Sequence, residues 1–135
     1  MNKRAIRDNL NLIKAILLSW LYIPHYILYR FKGSLRDVVN ADLDRRIDKL
    51  EIKMPRGMMF LFYIHNDRYF RNLFYHRIGP VMEVLIGWWR PGDRYFVLSK
   101  TMTIGPGAYF AHPFASEFNA KSIGKNFSCR HLTTL

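Results

Sequence analysis

Ile104-Gly105-Pro106-Gly107-Ala108-Tyr109-Phe110 and Ile123-Gly124-Lys125-Asn126-Phe127-Ser128-Cys129 decide how this chain is read. Each opens with an isoleucine, a glycine and two turn-forming residues. Each then places an apolar or small side chain six residues on, Phe110 in the first and Cys129 in the second. A further step of six reaches Leu135. A side chain returning inward at every sixth position fits neither the period of an α-helix, about 3.6 residues, nor the two-residue period of a simple strand. It fits a parallel β-helix built from hexapeptides, in which each side of a coil sends one apolar side chain to the interior. Between the two signatures stands one conspicuous reactive group, His112.

The 135 residues amount to one domain, or one small domain with part of a second. Half of them are hydrophobic and 16% aromatic, ample for a packed core and too many for a disordered chain. Lys and Arg number 21 against 10 Asp and Glu, a formal charge of +11, which points to an anionic partner. The excess is spread along the chain: residues 1–53 hold eleven basic and six acidic side chains, and residues 96–135 hold four and one. A nucleic-acid binder concentrates its charge in one stripe or carries a recognisable module, and neither is present, so no nucleic acid is expected as a partner. Cys129 is the only cysteine, which rules out an intramolecular disulfide and a multi-cysteine zinc site; no metal cofactor is expected. Its place on the inward register makes it a small core residue, and a reduced, cytoplasmic setting is the default.

Outward from the signatures, the N-terminal two thirds read as helical. Residues 15–31, AILLSWLYIPHYILYRF, follow a basic start of Lys3, Arg4, Arg7 and Lys14 and imitate a secretory signal without its small-residue cleavage site. The apolar run is too short to span a bilayer, and Pro24 breaks or kinks it. A helix packed on a neighbour is expected, with peripheral membrane contact through residues 1–32 as the second reading. Ser34 with Asp37 has the form of an N-terminal capping pattern. Leu35, Val39, Leu43, Ile47 and Leu50 make an apolar stripe behind it, and Asp42, Arg45 and Arg46 are expected on a solvated face. Residues 58–64 are continuously apolar, Asn66 and Asp67 offer caps for a helix closed by Gly79-Pro80, and Trp88 and Trp89 are expected to pack a domain junction. The texture changes after Pro91-Gly92-Asp93, which sets domains at 1–93 and 94–135.

Four groups of residues carry a family resemblance. Ile104-Gly105-Pro106-Gly107 is followed by His112 five residues after its second glycine. Asn119-Ala120-Lys121-Ser122-Ile123-Gly124-Lys125-Asn126 and Arg130-His131-Leu132-Thr133-Thr134-Leu135 then follow, and Phe74-Tyr75-His76-Arg77-Ile78-Gly79 precedes them. This resembles the opening of the left-handed β-helix of hexapeptide-repeat acyltransferases, and of serine O-acetyltransferases in particular. The resemblance implies an α+β chain: an N-terminal helical domain followed by the first coils of a left-handed parallel β-helix. It implies transfer of acetyl from acetyl-CoA, as co-substrate, to L-serine, giving O-acetyl-L-serine for cysteine biosynthesis. His112 stands at the position of the general base, and His131 is a substrate-side or structural residue of the next coil. The family forms trimers or dimers of trimers and continues with more coils that supply the CoA site, so the cofactor-binding residues are expected beyond Leu135 and the chain resembles a C-terminally truncated enzyme.

Two positions depart from the family. Ala111 precedes His112 and Val97 lies near the earlier orienting position, where serine acetyltransferases carry aspartates. Asp93 and Glu117 are the nearest substitutes in sequence. These departures resemble relatives that acetylate sugars of surface polysaccharides, which makes a sugar hydroxyl the alternative acceptor. An inactive truncated scaffold or membrane-surface protein is the reading from a different class. His25, His65 and His76 have no motif around them.

Overall fold

A computed structural model describes residues 2–113 and 115–130. Six helices come first: α1 (Lys3–Leu17), α2 (Ile23–Phe31), α3 (Gly33–Asp44), α4 (Arg56–Asn66), α5 (Arg68–Ile78) and α6 (Pro80–Gly87). Six short strands follow: β1 (Phe96–Leu98), β2 (Thr103–Ile104), β3 (Tyr109–Phe110), β4 (Ser116–Phe118), β5 (Ser122–Ile123) and β6 (Ser128–Cys129). The fold is therefore α+β.

Local chemistry explains some helix ends. Asn2 caps α1, its side chain accepting from the Ala5 N–H at 2.8 Å. Asp67 caps α5 by accepting from Tyr69 and Phe70 N–H at 2.9 and 3.1 Å. The break in the first apolar stretch lies at a 3₁₀ turn, Ser19–Tyr22, and not at the proline. Pro24 sits in the first turn of α2, where its missing N–H leaves no gap in the ladder. The Ser34–Asp37 capping pattern is not used. α3 begins at Gly33 with Lys32 as its cap residue and no side-chain bond, because α2 ends only two residues earlier and the two helices share that corner.

The helical core is aromatic. Tyr29 stacks on Phe60 with centroids 4.4 Å apart, and Phe60 meets Phe74 edge-on at 5.1 Å. α5 serves two cores at once. Phe70 and Phe74 face the other helices, while Leu73 is buried among the strand residues Phe96, Phe110 and Phe118. Asn72, also on α5, ties down the approach to β1 by donating to Asp93 O at 2.8 Å and Phe96 O at 2.6 Å.

The strands pair in parallel with an order that skips: β1 with β4, β2 with β5, β3 with β6, and no closed sheet forms. Ile104 lies against Ile123 and Phe110 against Cys129, so the two signatures stack in register. Their inward positions are buried, as are Phe96, Leu98 and Phe118. Phe96, Phe110 and Phe118 meet one another at 4.8 to 6.0 Å between centroids, and each such pair adds about 0.5–1.5 kcal/mol beyond its buried area. Leu135 lies outside the described residues.

A buried ion pair joins the helices to the first signature. Asp42 on α3 receives Arg77 of α5 through Nε at 3.1 Å and Nη2 at 2.9 Å. The same carboxylate accepts from the Gly107 and Ala108 N–H groups at 3.0 and 2.9 Å. Arg77 also donates to Gly105 O at 2.9 Å and to Ile104 O. Arg46, one helical turn after Asp42, donates to Ala108 O at 3.3 Å. Asp42 and Arg46 are each 1% exposed, so the face expected to be solvated is at these two positions the docking face. The apolar stripe is shorter than expected as well: α3 stops at Asp44 and Ile47 is exposed.

Two predictions follow from this packing. A Cβ on Gly105 would meet the Gly124 carbonyl carbon at 2.7 Å, whereas one on Gly124 meets nothing within 4 Å among the described residues. Gly105→Ala should therefore lose about 1–3 kcal/mol in urea unfolding, and Gly124→Ala should stay within about 0.5 kcal/mol of wild type. Asp42→Ala leaves the Arg77 guanidinium and two amides without their acceptor and should lose about 3–5 kcal/mol in the same assay.

Candidate functional site

His112 follows β3 directly. The Ala111 N–H still bonds to Cys129 O at 2.8 Å, after which the backbone turns through His112 with φ 51°. This left-handed conformation is uncommon outside glycine, though His, Asn and Asp adopt it more readily than most residues. It ends the strand pairing and leaves His112 exposed at a corner.

Two clefts meet at that corner. The larger, about 580 Å³, lies between the helices and the end of β3, with His112, Tyr109, His65, Arg71 and Asp8 among its walls. The second, about 500 Å³, is lined by Arg45, Lys49, Tyr109, Ala111, His112, Ser128 and Arg130. Lys49, Tyr109, Ala111 and His112 border both. Among the described residues the second cleft has three cations and no acid in its lining. The first has Arg7, Lys49, Arg68, Arg71 and Arg90 against Asp8 and Asp67. Asp8 accepts the Glu51 N–H at 3.1 Å, and Asp67 is the cap of α5. The electrostatic balance of both clefts favours an anion.

The far wall of the larger cleft is a hydrogen-bonded relay of helical residues. Arg71 closes the carboxyl end of α4 by donating to Ile64 O at 2.9 Å and His65 O at 2.8 Å. Arg90 Nε donates to the Tyr22 hydroxyl at 3.2 Å, and that hydroxyl lies 3.1 Å from His65 Nδ1. The Tyr22 hydroxyl therefore links Arg90 to the His65 ring. Burial lowers the His65 pKa, and Arg90, Arg71 and Lys14 add to the effect. Burial and the three nearby cations thus disfavour the charged form of this imidazole.

Deeper in the same wall, the Tyr75 hydroxyl donates to Arg90 O at 2.7 Å and lies 3.0 Å from His25 Nε2. Tyr75 has spent its single proton, so His25 Nε2–H must be the donor. His25 Nδ1 then holds a bare lone pair with no partner among the described residues. A proton there would be a buried, unsatisfied donor. His25 is fully buried, and its pKa falls to about 4, first through burial and then through Arg71.

The sequence-derived residues divide as follows. His112 lies at the junction of the clefts, and His131 is outside the described residues. Asp93 does not serve His112: one oxygen holds Arg68 Nε at 3.0 Å and the other the Tyr95 N–H at 2.7 Å. Glu117 is exposed and pairs in register with Val97. His76 reaches Ser99 O at 3.1 Å and is a joint between α5 and the strands. Trp89 packs on Tyr22 at 5.3 Å, while Trp88 projects outward and packs no junction. Among the described residues no three of His, Cys, Asp and Glu gather as metal ligands. The contributions of His65, Arg71 and Arg90 were not visible in sequence, since each joins the cleft only through residues far along the chain. No protein-family model, curated protein or solved structure matches the chain.

The wall has a pH signature. His25 is neutral when folded and titrates near its ordinary 6.5 when unfolded, so unfolding takes up a proton below that pH. Stability should fall as pH drops from about 6.5 to about 4, by on the order of 3 kcal/mol. His25→Gln keeps a donor for Tyr75 and cannot titrate in this range. Its urea midpoint should be lower at neutral pH and visibly flatter across the same interval.

Proposed function

We propose that residues 94–135 begin a left-handed parallel β-helix of the hexapeptide-repeat kind, and that the chain belongs to an acetyl-CoA-dependent O-acetyltransferase with L-serine as acceptor. The observation that carries this reading is the stacking of Ile104 on Ile123 and Phe110 on Cys129, which brings His112 to a corner between two basic clefts. A hydroxyl acceptor and a polyanionic acyl donor both suit that corner.

His112 is the general base. Its neutral imidazole takes the proton of the acceptor hydroxyl as the oxygen attacks the thioester carbonyl. The tetrahedral oxyanion collapses with loss of the CoA thiolate, and the imidazolium returns its proton to that sulfur. Backbone N–H groups at the corner stabilise the oxyanion while it exists. Arg45, Lys49 and Arg130 attract the CoA phosphates, as does the positive charge of the chain at large. As in the resembling family, the working unit is a homotrimer.

A second acceptor is favoured by one specific feature. Ala111 and Val97 offer no carboxylate to orient the imidazole or to meet the ammonium group of serine. A sugar hydroxyl brings no ammonium group to be met.

The test is thiol release from acetyl-CoA with L-serine and, separately, with a panel of sugars. His112→Ala should lower the rate with the preferred acceptor by about 10²–10⁴-fold while the far-UV circular dichroism stays that of wild type. A variant as active as wild type on every acceptor would remove His112 from the chemistry.

A further inference from the structure

α1, the 3₁₀ turn and α2 bury one side and leave the other apolar. Ala15, Tyr22, His25 and Tyr29 are buried against the protein. On the opposite side Leu10, Ile13, Leu17, Trp20, Ile27 and Phe31 recur at three-, four- and seven-residue steps, and all are exposed. Leu17, Trp20 and Phe31 are 69%, 64% and 80% exposed, values that a protein surface rarely shows for neighbouring large apolar groups. The stripe continues through a bend of 66° between the two helices. At the bend it opens into a groove of about 290 Å³ lined by Trp20, Ile23, Tyr26, Ile27, Leu61 and Ser19.

Charge identifies what covers this face. Residues 1–36 contain Lys3, Arg4, Arg7, Lys14, Arg30, Lys32 and Arg36, with Asp8 as their only acid. Asp8 is buried and committed to the Glu51 N–H. Arg4 and Arg36 pair with Glu51 and Asp37, which leaves Lys3, Lys14, Arg30 and Lys32 as the cations beside the apolar stripe, a combination that matches a surface oily inside and negative outside. The groove at the bend has the apolar lining to accept part of an acyl chain. Trp20 at its rim has the amphipathic ring that settles at headgroup depth. No single helix among the described residues is long and apolar enough to cross a membrane. The buried side of both helices is also committed to α4 and the core, so the pair lies along an interface and does not pass through it.

We propose that α1, the turn and α2 dock this protein on an anionic lipid bilayer, with Leu10, Leu17, Trp20 and Phe31 among the acyl chains and Lys3, Lys14, Arg30 and Lys32 at the phosphates. The proposal is independent of the acetyltransferase reading.

The experiment is flotation of the whole protein with phosphatidylcholine vesicles, with and without phosphatidylglycerol. Binding is expected only when the anionic lipid is present, with loss on raising salt and quenching of tryptophan fluorescence by lipids brominated on the acyl chain. Leu17→Gln/Trp20→Gln alters two exposed side chains and should weaken binding at least about tenfold. Lys3→Gln and Lys14→Gln should each weaken it about fivefold. Absence of vesicle binding, or wild-type binding by the Leu17/Trp20 variant, overturns the proposal. So does an oligomer that this variant dissociates in sedimentation velocity without any lipid effect, which would give the face to a second copy of the chain.

Discussion

The ion pair between Asp42 and Arg77 is the contact on which the arrangement of helices and strands depends. A lone carboxylate at this depth would be held in its neutral form, and burial does push the Asp42 pKa upward, with Arg77 and the Ala108 amide pulling against it. Charge is sustainable here because the Arg77 guanidinium and two backbone amides converge on one carboxylate. Those amides belong to the turn of the first signature, so the pair holds a specific loop of the strand region against α3 and α5. Arg46 adds to the same joint. Its Nε and Nη2 have no hydrogen-bond partner among the described residues, but the Phe70 and Tyr109 rings lie 5.2 and 4.9 Å from its guanidinium carbon. Aromatic faces thus supply part of the stabilisation that water would otherwise provide.

Docking at that joint determines where His112 stands. β3 runs out of the clamped turn, and its end faces the α4–α5 corner because Ala108 is held by Asp42 and Arg46. The wall opposite is stiffened by the bonds linking Tyr22, His65, Arg90, Tyr75 and His25, each of whose polar tips lies near a cation or a carbonyl. α1 then has two duties. Arg7 and Asp8 line the larger cleft, while Leu10, Ile13 and Leu17 form part of the apolar face on the other side of the same helix.

The six-residue register of the strands, the α+β order and the caps at Asp67 and near Gly79 could all be read before any coordinates. Each is a local property: an apolar side chain every sixth position, a short acid before a helix, a glycine after one. The position of His112 between the signatures was legible for the same reason. Other expectations failed where distant segments meet. Asp42 and Arg46 have the residue types of a solvated face, and nothing near them in sequence reveals that Arg77 and Gly107 will cover them. Ser34 has the form of a cap, but the shared corner of α2 and α3 puts the cap at Lys32, two residues earlier. Trp88 and Trp89 are adjacent and alike, yet only Trp89 faces Tyr22.

What the sequence determined by itself is periodicity and local caps: which residues point inward on the strands, where α5 starts and stops, and that one histidine lies between two matching turns. Tertiary structure alone decided which charges are buried, which imidazoles are kept neutral, and which apolar residues are left over once the core has closed. The physical reason is the range of the forces. Hydrogen-bond caps and side-chain direction act within a turn or two of the backbone. Desolvation depends on everything that folds over a group, and for Asp42, His25 and Trp20 that cover comes, or fails to come, from far along the chain.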